Sequence, residues 1–143
     1  MDEKRKDISY FNVSFEIARS LKNLGFNETT TAFWDIKIND FDCRARPILY
    51  TGKEEKLYNS WQPLIYAAPT RAEVLEWFRR EHNYYIYIIP RFDGLDGAQY
   101  YCHYSIFKKG AKEECDVNGD GCYEYKEAEE KAIEEVIQLL QKP

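Results

Sequence analysis

The residues best suited to chemistry lie in one stretch, Asp116 to Glu127, which reads DVNGDGCYEYKE. Its oxygen donors recur at the spacing of an EF-hand calcium loop. Calcium takes roughly six to eight oxygen ligands. Asp116, Asn118 and Asp120 would supply side-chain oxygens, and Cys122 its backbone carbonyl. Glu124 would contact the ion directly or through water, and Glu127 would close the shell with both carboxylate oxygens. Gly121 permits the sharp turn such a loop makes. Against this stands a plainer expectation. Asp, Asn and Gly gather in ordinary turns, and acidic residues at the start of a helix favour its positive end. Tyr123 stands where a calcium loop prefers a smaller apolar residue. The entering helix is also missing, because 98–107 reads as strand and 111–115 has room for one helical turn. Two readings therefore stay open for the loop, a calcium site and a polar turn.

Other chemistry is thin. The two histidines, His82 and His103, sit respectively at a helix end and in a strand among tyrosines. Cys102 and His103 are neighbours in that strand, so their side chains point to opposite faces. No nucleophile elbow, phosphate loop or dinucleotide fingerprint occurs. No catalytic residue is expected, and the chain reads as non-enzymatic. The cysteines Cys43, Cys102, Cys115 and Cys122 form no C-x-x-C pair, which argues against structural zinc. Free thiols are expected, although Cys115 and Cys122 flank a turn that can bring them together.

The elements that must position these groups follow from periodicity. Trp61 to Pro90 organises the chain. Thr70 with Glu73 has capping-box spacing after Pro69, and the pattern predicts a helix over 71–81 with Ala72, Val74, Leu75, Trp77 and Phe78 apolar. Asn83 suits a left-handed exit. YYIYIIP then alternates Tyr85, Tyr87 and Ile89 with Tyr84, Ile86 and Ile88. It reads as a central strand ended by Pro90. Residues 98–107 read as its antiparallel partner across the Asp-Gly turns.

Earlier, a helix is expected from Asn12 or Ser14 to Leu24, closed by Gly25. A half-buried strand follows over 31–38. The segment 44–50 contains Pro47 and is at best an edge strand, and 64–68 is extended. A last helix covers about 125–141, with Ala128, Ala132, Ile133, Val136, Ile137, Leu139 and Leu140 on its apolar side. Residues 1–8 are charged and expected to fray. The 143 residues fit a single α+β domain. The expected architecture is a two-layer sandwich, an antiparallel sheet with helices packed on one face.

Three places carry a resemblance to a known group. They are Val13-Ser14-Phe15-Glu16-Ile17-Ala18 with Leu21-Lys22 and Gly25-Phe26, then Tyr58-Asn59-Ser60-Trp61 with Ala68-Pro69-Thr70 and Trp77-Phe78-Arg79-Arg80-Glu81-His82-Asn83, and finally Tyr125-Lys126-Glu127-Ala128. In these the chain resembles small uncharacterised proteins encoded by prophages and mobile elements of Bacteroides-type bacteria. The likeness spans most of the chain and implies no activity. The acidic turn before the last helix departs from that pattern.

Composition narrows the partners. A net charge of −5 argues against a general nucleic-acid or anionic-membrane binder. No apolar run approaches a membrane span, and MDEKRKDIS is no signal peptide, so the expected compartment is the cytoplasm. The 12 tyrosines make a tyrosine-rich surface for a protein partner the favoured interaction. The leading expectation is thus a non-enzymatic accessory or protein-interaction domain of a mobile element, without a cofactor. The alternative is a module that binds Ca2+ at 116–127.

Overall fold

The computed structural model describes residues 10–38, 45–51, 65–93, 99–110, 117–118 and 124–142. The fold is α+β, with three helices and two small antiparallel sheets among the described residues. The chain divides into two compact units, Met1–Arg71 and Ala72–Pro143.

In the first unit, helix α1 (Phe15–Asn23) starts where Ser14 accepts the Ile17 amide on its hydroxyl at 3.3 Å. It ends before Gly25, whose φ of +89° is left-handed territory that glycine enters freely. Strands β1 (Ala32–Ile38), β2 (Ala45–Thr51) and β3 (Ile65–Ala67) form a sheet in the order β2-β1-β3. Trp34 stands opposite Tyr66, and Phe15 of α1 meets both rings edge-on. The Trp34 indole N–H donates to the Val13 carbonyl at 3.1 Å. The segment before α1 is tied to the residues after β3. Asn12, buried, donates to the Ala68 carbonyl at 2.7 Å, and the Val13 amide to Pro69 at 3.0 Å. Arg71, also buried, donates to the Tyr10 carbonyl and stacks its guanidinium on the Tyr10 ring. As expected from Pro47, β2 lies at an edge.

In the second unit, helix α2 (Arg71–His82) leads through Asn83, at φ 58°, into β4 (Tyr84–Asp93). Strand β5 (Gln99–Lys108) pairs with β4 over ten residues, from Tyr84 opposite Lys108 to Asp93 opposite Gln99. A two-residue strand, β6 (Val117–Asn118), takes the other side of β5. Helix α3 (Tyr125–Gln141) packs on β4 and β5. Ala128, Ala132, Ile133, Val136 and Ile137 are its buried stripe. Leu139 and Leu140 are half-buried. Burying each of Ile133 and Val136 contributes about 1.5–3 kcal/mol relative to exposure.

Three expectations need correcting. The strands make two sheets rather than one. Among the described residues no strand of one sheet pairs with a strand of the other. YYIYIIP is an edge strand, not a central one, because β5 takes the middle place. Pro90 does not end β4, which runs on to Asp93. The register explains why. The Lys109 amide donates to the Asn83 carbonyl at 2.9 Å, so 83 and 109 are a hydrogen-bonded pair. Antiparallel pairs alternate, which makes 85, 87 and 89 the residues bonded to β5. The backbone groups of 84, 86, 88 and 90 face away from it. Pro90 therefore sits where a missing N–H breaks no ladder bond.

Candidate functional site

Among the described side chains, the exposed aromatics of β4 and β5 lie on one side of the β4–β5 hairpin. Tyr85, Tyr87 and Ile89 share that side with Phe107, Ser105 and His103. The opposite side carries Tyr84, Ile86, Ile88, Tyr104 and Ile106, of which Tyr84, Tyr104 and Ile106 are buried. Tyr87 is 52% exposed and Phe107 37%. Their rings meet edge to face with centroids 5.5 Å apart. A hollow of about 440 Å³ lies there, lined by Tyr85, Tyr87, Phe107, Lys108 and Lys109. Lys108 places its ammonium 5.2 Å from the Tyr84 ring centroid.

A second hollow, of about 460 Å³, lies between β4 and α2. It is lined by Ala72, Leu75, Glu76 and Arg79 on the helix and by Tyr84 to Tyr87 on the strand. The helix residues follow the i, i+3, i+4, i+7 rule, so they form one stripe. This stripe differs from the buried one, Val74, Trp77 and Phe78. Ala72 and Leu75, expected in the core, are exposed and half-buried respectively. They lie about 140° round the helix from the buried stripe, close to its opposite side. Arg79 is held by Glu76 through contacts of 2.5 and 2.6 Å, which raises its pKa further. Comparison with family models, curated proteins and solved structures finds no match.

The expected calcium loop is only partly placed. Asp116, Asp120 and Cys122 lie outside the described residues. Val117 and Asn118 are in β6, opposite Ile106 and Ser105. Glu124 precedes α3 with extended backbone and makes no side-chain cap bond. Glu127 stands in the first turn, and both carboxylates are exposed. Among the described residues no three His, Cys, Asp or Glu side chains come together as a metal site. The last helix carries a half-buried pair, Lys126 with Glu130 at 3.8 Å.

His82, at the end of α2, is packed against aromatic rings. Its ring lies 4.6 Å from Trp77 and 6.5 Å from Phe78, and its Nε2 is buried without a hydrogen-bond partner. Burial holds its pKa below the ordinary 6.5, with Glu81 opposing and Lys108 assisting. Cys102 is a half-buried free thiol opposite Pro90, and His103 lies opposite Ile89. Cys43 and Cys115 lie outside the described residues. Among the described residues no helix is long and apolar enough to cross a membrane.

Proposed function

We propose that this chain is a non-enzymatic protein-interaction domain, an accessory of a mobile element, and that it meets its partner through the tyrosine-bearing side of the β4–β5 hairpin. The observation that carries the reading is the exposed pair Tyr87–Phe107 beside a hollow that Tyr85 completes. Aromatic rings offer large contact area with few torsions to fix, and tyrosine keeps a polar tip for either state. Lys109, which also lines the hollow, gives this apolar centre a charged rim. The pair Tyr10–Phe11 is also exposed, but the Tyr10 ring is already engaged by Arg71. The accessory role in a mobile element rests on the resemblance at 13–26, 58–83 and 125–128. A photo-crosslinking residue at Tyr87, with Glu134 on the exposed side of α3 as control, tests the proposal in extract of the organism that carries the sequence. A discrete adduct at 87 alone is expected. Adducts at neither site, or equally at both, contradict it.

The second reading is a calcium module at 116–127. It is favoured by the match of every ligand position of that stretch to an EF-hand loop, and by the exposed carboxylates of Glu124 and Glu127. Calcium would then be a structural or signalling ligand rather than a catalytic one.

A further inference from the structure

Strand β4 ends its sheet. Among the described residues no strand lies beyond it, and it is ten residues long. Its outward backbone groups belong to Tyr84, Ile86 and Ile88, by the alternation set at Asn83 and Lys109. A row of this kind is a template for another strand, and proteins that leave one open commonly use it. The hollow between β4 and α2 runs along this edge. It takes lining from Tyr84 and Ile86 on one face of the strand and from Tyr85 and Tyr87 on the other. It therefore wraps the edge itself rather than lying on a face.

We infer that the free edge of β4 accepts an added strand, an extended peptide of a partner protein that lies between β4 and α2 and turns a carboxylate toward Lys108. The inference rests on the interaction reading above and names its mode. Two observations choose this occupant. Helix α2 shares the lining of the hollow at this edge, so a lone extended peptide meets less obstruction there than a second copy, which would bring its own sheet and helix. The charge is also local. The chain is acidic overall, yet Lys108 holds its ammonium 5.2 Å from the ring centroid of Tyr84, which lines this hollow, while Arg79 is already matched by Glu76. An acidic peptide is drawn to this end of the edge and repelled by much of the remaining surface.

The added strand exchanges backbone bonds with Tyr84, Ile86 and Ile88, which span five residues, about 13 Å of strand. Its side chains on one face meet Tyr85 and Tyr87, and those on the other meet Leu75 and the α2 stripe. Pro90 marks where pairing stops, because it has no N–H to offer.

The test is selection of a displayed library of random peptides on the intact protein. Peptides that alternate apolar residues and carry an acidic one are expected. N-methylation along a selected peptide should weaken binding about tenfold at every second position and leave the positions between unchanged. In the complex, the amides of Ile86 and Ile88 should exchange more slowly than in the free protein. Ile88→Pro, which removes an outward N–H and leaves the bonds to β5, should lose about tenfold in affinity. If that variant does not fold, the N-methyl scan and amide exchange still decide. Binding indifferent to N-methylation overturns strand addition but leaves the aromatic interface standing. So does failure to select any peptide while the Tyr87 crosslink persists. Loss of both removes the two readings together. Salt-sensitive retention of a single-stranded oligonucleotide at the tyrosines, in place of peptide, also overturns it.

Discussion

The backbone amide of Lys109 donates to the carbonyl of Asn83 at 2.9 Å, and this one bond fixes which way every later backbone group in β4 points. Tyr85, Tyr87 and Ile89 are bonded inward to β5, whereas Tyr84, Ile86 and Ile88 present theirs outward. Amide hydrogen exchange should therefore alternate along the free protein's β4. The amides of 85, 87 and 89 should be protected, and those of 86 and 88 should exchange much faster. Uniform protection from 84 to 89 would mean that something already covers this edge.

Asn83 joins α2 to β4 at φ 58°, a conformation that costs an ordinary L-residue about 1–2 kcal/mol. Asparagine tolerates it better than most, and glycine is free of the strain. Asn83→Ala should lower stability by about 1 kcal/mol in denaturant titration, with Asn83→Gly close to the parent. Equal loss in both variants would trace the effect to the side chain instead.

His82 should make the fold acid-sensitive. Its pKa is depressed in the folded state by burial against Trp77 and Phe78, so the neutral ring is favoured there. The associated stability is fully present above the unfolded value near 6.5 and is lost as pH falls through the lower folded value. Melting followed between neutral pH and about pH 5 should show a loss that His82→Gln reduces. A variant with the same acid slope as the parent would assign that slope to other groups.

Calcium distinguishes the two readings of 116–127. If that stretch holds the ion, millimolar calcium raises the melting temperature and shifts tyrosine and tryptophan emission, and both Asp116→Ala and Glu127→Ala abolish the response. A melt unchanged by calcium leaves the polar turn alone. On the polar-turn reading, Glu127→Ala costs only about 0.3–1 kcal/mol, from its place at the positive end of α3.

Much of this architecture was legible in the residues. Ser14 and Gly25 bound α1, Asn83 exits α2, and the alternation of tyrosine and isoleucine in 84–89 assigns each side chain to a face. The pairing of 98–107 with that strand followed from two apolar alternating runs across Asp-Gly turns. The tyrosine-rich surface was visible too, although not which tyrosines form it. The hollow between α2 and β4 was not legible. Ala72 and Leu75 are apolar, and the helical pattern grouped them on one broad apolar face with Val74, Trp77 and Phe78, yet they line the strand's open edge.

The sequence by itself determined where helices and strands lie and which side chains share a face, because caps, left-handed residues and periodicity act over a few neighbouring residues. Only the tertiary structure decided that β1 and β5 each sit in the middle of a separate sheet, that β4 is left at an edge, and that Pro90 does no harm within it. The reason is physical. Strands pair through backbone groups that are alike in nearly every residue, so the pattern of side chains says which way a strand faces and leaves open which neighbour it finds.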